Sequence, residues 1–144
     1  MTRNEIVIEA RSWIGTPYRH QATLKGVGCD CLGLVRGVWR AVQGPEPEET
    51  GAYAPDWAEA LREERLADAA GRHLLPLALA DIAPGDVLLF RWRAGLPAKH
   101  AALLTTPDVM IHAHDGASVA EVALTPWWRR HLAFAFRFPT LDAC

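Results

Sequence analysis

Gly28-Cys29-Asp30-Cys31-Leu32-Gly33-Leu34-Val35-Arg36-Gly37-Val38-Trp39-Arg40-Ala41-Val42 is the stretch on which the reading of this chain turns. Cys31, Leu34, Val35, Val38, Trp39 and Val42 recur at the three/four spacing of one buried helical face. The spacing predicts a helix from about Asp30 to Val42 that ends near Gly44-Pro45. Asp30 stands where an N-cap belongs, with a carboxylate able to accept first-turn N–H groups. Cys31 then falls in the first turn, where the positive end of the helix dipole favours the thiolate. The unpaired N–H groups of that turn can also hold an oxyanion, and Gly33 keeps the approach to them open. Helix position alone leaves two readings of Cys31 open, a reactive nucleophile and a buried core thiol.

Upstream, Thr2 and Glu5 form a T-x-x-E capping box that opens a helix with Ile6, Ala10, Trp13 and Ile14 on one face. Gly15-Thr16-Pro17-Tyr18 stops it, and Arg19 to Gly28 reads as a loop. Downstream, Pro45 to Pro55 reads as an exposed loop, and Asp56 with Glu59 caps a charged helix running to about His73. After the turn signal Ile82-Ala83-Pro84-Gly85-Asp86 the texture changes to short strands: Val87 to Trp92, His100 to Thr105, Val109 to His114, Val119 to Leu124 and Leu132 to Phe138. Pro126 to His131 reads as a short turn of helix. Helices first and a strand meander after them predict an α+β domain with an antiparallel sheet.

The chain has 144 residues, half of them apolar, enough for one domain with a real core. Its net charge is −2 and its basic residues are scattered, which argues against nucleic acid or anionic lipid as a partner. No apolar run approaches the ~20 residues of a membrane span. Met1 to Gly15 carries Glu5, Glu9 and Arg11 inside its apolar stretch, unlike a secretory signal. The expectation is synthesis in the cytoplasm, with a separate carrier if the target lies outside the cell. Three cysteines fit poorly with a disulfide scaffold, and Cys144, the last residue, reads as an unimportant terminal thiol.

Two histidines lie in predicted strands. His100 heads the apolar run His100-Ala101-Ala102-Leu103-Leu104, where a strand end packed on the helix would bring a general base toward the thiol. His112 and His114 sit two apart in the next strand and so share a face. A hairpin through Thr106-Pro107-Asp108 would lay one of them beside His100, to fix its orientation and tautomer. His114, next to Asp115-Gly116, reads better as a rim histidine. Cys29, Cys31, His112 and His114 are all chemically able to bind zinc, but C-x-C and H-x-H lack the usual spacing, and no metal or cofactor is expected. Tyr18 either lines the site and donates to an oxyanion or is a packed aromatic. The tryptophans at 13, 39, 57, 92, 127 and 128 suit core or rim, with Trp127-Trp128 the best exposed pair for a partner.

Taken in order, these segments resemble the NlpC/P60 family of bacterial cell-wall peptidases, over about Ile6 to Leu124. Gly15-Thr16-Pro17-Tyr18 looks like the family's opening motif with its tyrosine, and Asp30-Cys31-Leu32-Gly33-Leu34-Val35 like its D-C-S-G-L-V nucleophile motif. Ala83-Pro84-Gly85-Asp86-Val87-Leu88-Leu89-Phe90, His100-Ala101-Ala102-Leu103-Leu104 and Met110-Ile111-His112-Ala113 are similar to its P-G-D strand, base strand and third-residue strand. The resemblance implies a papain-like fold, with N-terminal helices packed on an antiparallel sheet. It implies a cysteine peptidase acting on peptidoglycan stem peptides, often at the D-glutamyl–diamino acid bond. By it the nucleophile is Cys31, the base His100 and the orienting residue His112, with Tyr18 and Asp30 toward the oxyanion and substrate; Cys29 falls outside the motif. A compact domain of this kind looks most like the phage-type branch, carried to the wall by phage tails or gene-transfer-agent particles. Its rivals are a structural tail component with the same fold, and a thiol amidase or acyltransferase acting on another amide. Leu32, Ala102 and His20-Gln21 depart from the usual serine, glycine and Gly-Gly, which bears on the cleft more than on the class. The acidic segment from Gln43 to His73 exceeds a minimal member and would shape the cleft or dock on a tail protein.

Overall fold

The computed structural model describes residues 1–47 and 64–139. The expected Asp56/Glu59 cap, Trp57, Cys144 and the middle of the acidic segment lie outside the described residues. The described chain runs α1 (Arg3–Arg11), β1 (Thr23–Leu24), β2 (Gly28–Cys29), α2 (Cys31–Val42), α3 (Arg65–His73), β3 (Leu75–Leu77), β4 (Val87–Phe90), β5 (His100–Thr106), β6 (Val109–His112), β7 (Ala120–Ala123), α4 (Pro126–His131) and β8 (Leu132–Arg137). This is the expected α+β architecture.

Six strands pair antiparallel in the order β3-β8-β4-β5-β6-β7. The β5–β6 hairpin turns at Pro107-Asp108, as expected. The last strand does not extend the meander but inserts between β3 and β4. β3 is an unexpected edge strand: its Pro76 lacks an N–H, which confines such a segment to a sheet edge. Arg19 to Gly28, expected as a plain loop, contains a two-stranded hairpin, β1 with β2, that leads straight into α2.

β4 reads Val-Leu-Leu-Phe without alternation because both its faces are covered. Val87 and Leu89, with Ala101, Leu103 and Ile111, face Ile6, Ala10 and Trp13 and the α2 residues Leu34 and Val38. Leu88 and Phe90, with Ala102, Leu104 and Met110, form a second layer capped by Leu124, Ile82 and Trp128. α1 carries the capping box, Thr2 Oγ1 accepting from Glu5 N and Glu5 returning to Thr2 N. Ile14, expected on its buried face, is exposed, because the helix ends at Arg11 and the chain turns away.

Where α1, the sheet and the last strand converge sits Asp86, fully buried. Arg137 grips it with two parallel bonds of 3.0 and 2.9 Å, Ala83 N–H donates at 2.8 Å, and Arg3 of α1 reaches it at 3.4 Å. A buried carboxylate needs such satisfaction to be tolerated at all.

Candidate active site

The cysteine is placed by its cap. Asp30 is buried at the N-cap of α2: one carboxylate oxygen accepts Gly33 N at 2.7 Å, the other Gln21 N at 2.8 Å. Both oxygens serve backbone donors, and an ionised carboxylate has no proton to give. Asp30 therefore shapes the turn, in the capping role expected of it at the start of α2. Gln21 has φ 65°, a left-handed conformation natural to glycine and costly to a side chain, so the departure from Gly-Gly leaves strain here that the Asp30 bond offsets. At Gly33 a Cβ would collide with the Ala22 carbonyl, and at Gly37 with the Trp13 ring. Both glycines exist so that the cysteine loop and α1 can approach α2 this closely.

Cys31 opens α2. Its sulfur lies 3.8 Å from the Lys99 carbonyl oxygen, and the Ala101 N–H also points at it. The thiol thus rests on the peptide units on either side of His100. Burial pushes it up to about 11, while the N–H groups of Ala101, Leu32 and Cys31 pull the other way. The Asp30 charge adds to the upward push. The dipole effect expected from the helix start is present, but loss of hydration outweighs it, so the resting sulfur is a neutral thiol. Cys29 is wholly buried in β2, and burial together with Asp30 and Cys31 pushes its thiol to about 12.

β5 and β6 bring the histidines together. His100 Nε2 and His112 Nδ1 are 2.8 Å apart, and both residues are buried. Burial and the neighbouring imidazoles His112 and His114 hold His100 well below the usual histidine range. Burial and His114 hold His112 at about 4. His112 engages Nε2 of His100, so Nδ1 is the ring nitrogen that this contact leaves out. His114 lies past the end of β6, exposed, with Nδ1 3.3 Å from Asp115 O, as its rim reading requires.

Tyr18 is held beside the cysteine by backbone pairing on both flanks. Cys29 N donates to Pro17 O and Arg19 N to Cys29 O, each at 3.0 Å, while Pro17 bridges to Ser118 ahead of β7. Burial first, then the charges of Cys31, Asp30, Asp115 and Cys29, push the phenol up to about 12. The phenol is therefore a neutral O–H at any working pH, near enough to Cys31 for the two groups to act on each other electrostatically.

Sequence reasoning missed the aromatic wall around His100. Trp92, from the loop before β5, stacks on the His100 ring at 5.2 Å between centroids; Trp128 of α4 stacks on it at 5.5 Å. Phe90 and His112 meet Trp128 edge-on at 5.0 and 5.3 Å. Of the expected exposed pair, Trp127 is exposed and Trp128 is turned inward. Residues 92, 100, 112 and 128 come from four segments, so no local spacing announces the cluster. Among the described residues, no group of three or more His, Cys, Asp or Glu side chains is arranged to hold a metal ion.

A cysteine at a helix start resting on the peptide units that flank His100, a buried histidine pair and a nearby tyrosine are groups of the kind that nucleophilic attack on an amide uses. The profile of the NlpC/P60 family matches residues 15–137. The fold is similar to the NlpC/P60 domain of the peptidoglycan hydrolase SagA, with 24% identity, a TM-score of 0.66 and coverage of 96% of this chain and 100% of that one. It is also similar to an NlpC/P60 family protein from Bacillus cereus, with 20% identity and a TM-score of 0.69. There the match covers 96% of this chain and 40% of the other. A third likeness is the peptidoglycan hydrolase RipB from Mycobacterium tuberculosis, with 19% identity, a TM-score of 0.63 and coverage of 94% and 63%. The chain thus spans well under the full length of the second and third of these. None of the curated proteins matches it in sequence.

Proposed function

The chain belongs to the NlpC/P60 family, and from that premise we propose that it is a cysteine peptidase hydrolysing peptidoglycan stem peptides at the amide between a D-glutamyl residue and a diamino acid. The observation that carries the chemistry is the resting place of Cys31 against the peptide units flanking His100, with His100 tied to His112. In this reading the thiol leaves the Lys99 carbonyl and gives its proton to His100 Nδ1. The thiolate attacks the amide carbonyl, and the Tyr18 O–H and the Cys31 N–H receive the oxyanion. The C–N bond breaks as His100 returns the proton to the leaving amine, giving a thioester. Water, deprotonated by His100, then releases the acid and restores the thiol.

With the His100 proton on Nε2, the tautomer this reading requires, His112 Nδ1 accepts it both when His100 is neutral and when it is protonated. One hydrogen bond therefore serves the whole cycle, which suits an orienting role. The proposal extends to delivery, with the chain acting at the wall as part of a phage-like tail and the cytoplasm its place of synthesis. That part is supported by the sequence resemblance alone, and detection of the chain in purified particles tests it.

Mass analysis of peptidoglycan fragments tests the reaction. The unsubstituted protein is expected to release fragments ending in D-glutamate. Cys31→Ala is expected to lower the rate by at least about a thousandfold, while Cys29→Ala keeps most of it. Equal losses from both would mean that the nucleophile is misassigned. No cleavage by the unsubstituted protein would favour a structural tail component, and transferred acyl groups an acyltransferase.

A further inference from the structure

His100 takes up a positive charge in every turnover, yet it is 4% exposed and its fixed partner, His112, is an uncharged imidazole. In a hydrolase triad the third member is often a carboxylate, which steadies the imidazolium by direct attraction. The titratable groups that act on His100 are His112 of β6 and His114 just beyond it, and both oppose its charge. α2 brings Cys31 against the adjoining peptide units. Among the described residues, no carboxylate is among the groups that act on it. The anion that accompanies this buried cation is the one the reaction itself makes, the Cys31 thiolate and then the oxyanion, so the ring gains from a permanent source of stabilisation beside it.

The aromatic wall has the geometry to supply it. Trp92 and Trp128 lie 5.2 and 5.5 Å from the His100 ring, at interplanar angles of 30° and 27°, so each turns a broad face toward it. Both distances fall inside the ~6 Å reach of a cation–π contact, which strengthens when water is excluded. The two indoles are 5.9 Å apart and form adjoining walls rather than opposite sides of a sandwich. Trp127 meets Trp128 edge-on at 4.9 Å and stacks on His131 at 3.9 Å, and His131 Nδ1 bonds back to Trp127 O at 2.6 Å. Trp128 is thus wedged between Phe90, His112 and Trp127 and cannot easily swing away.

We propose that Trp128, together with Trp92, is a positioning residue of the catalytic histidine: their π faces fix the His100 ring and stabilise its protonated form in place of a carboxylate. The inference rests on the assignment of His100 as the base. It turns α4, a six-residue helix remote from the motifs, into a part of the reaction centre.

The test compares Trp128→Phe, which keeps a π face, with Trp128→Leu, which keeps apolar packing and removes the face. Two readouts are taken: the protonation midpoint of His100 from its ring NMR signals, and kcat and KM on a wall peptide. The Leu variant is expected to protonate about half a pH unit lower than the Phe variant. It is also expected to lose on the order of tenfold in kcat with KM little changed, while Phe rescues most of the loss. If the Trp128 variants do not fold, Trp92→Phe and Trp92→Leu make the same comparison from a loop. Equal midpoints and equal kcat in the Phe and Leu variants would overturn the inference while leaving the peptidase intact. Absence of cleavage by the unsubstituted protein would instead overturn the proposed function, with the NMR comparison still deciding the role of the indoles.

Discussion

In the proposed mechanism His100 must be uncharged to accept the proton of Cys31, and its surroundings help keep it so. Burial comes first, and the neighbouring His112 and His114 add to it, holding His100 well below 6.5. A base with a lowered pKa stays available in mildly acidic solution. The acid limb of kcat/KM on a wall peptide is therefore expected to have its midpoint below pH 6.5, read from a profile over about pH 4 to 8. A midpoint at or above 6.5 would contradict this account of the histidine pair. The same burial that weakens His100 as a base raises the Cys31 thiol to about 11. Both shifts favour the neutral forms, so in the proposed mechanism the charge separation comes with substrate. Cys29, two residues away, carries the same thiol but is wholly buried among the core residues.

At the scale of elements, α2 is the critical piece, and its position depends on two missing side chains. At Gly33 an added Cβ meets the backbone oxygen of Ala22, which cannot be moved without disturbing the β1–β2 hairpin. Gly33→Ala is expected to cost about 1–3 kcal/mol or more in urea denaturation, and to slow peptide cleavage as Cys31 shifts with the turn. A variant with unchanged stability and rate would mean the loop is slack. The β5–β6 hairpin is the second critical piece, because its register, with Leu103 opposite Ile111, lays His112 diagonally across from His100, 2.8 Å away. The hairpin was readable from Thr106-Pro107-Asp108 and the alternation beside it. The strand end at His112, which leaves His114 outside, was not, because a period of two continues past the point where pairing stops.

Over the whole molecule, one buried carboxylate ties the two ends of the described chain together. Asp86 receives Arg3 from α1 and Arg137 from β8, and Arg137 is held the more firmly, its guanidinium pKa raised chiefly by the bond to Asp86. Asp86→Asn keeps the shape and removes the charge, leaving two half-exposed guanidinium groups without their anion. It is expected to lower stability by on the order of 2–3 kcal/mol, seen as a drop in Tm, with the Cys31 site still formed. No change in Tm would show that solvent supplies what Asp86 does.

The sequence by itself determined α1, α2 and the cysteine at its start, the α+β order and the β5–β6 hairpin, because caps, periods and turns are carried by residues a few positions apart. It also carried the family's motifs, whose order pointed to Cys31, His100 and His112. Only the tertiary structure decided that β8 inserts between β3 and β4, that Asp30 spends both oxygens on backbone, and that Cys31 rests as a thiol. It alone gathered Trp92 and Trp128 about His100. The physical reason is the same in each case: strand order, desolvation and ring contacts depend on which distant segments meet, and no local spacing records that.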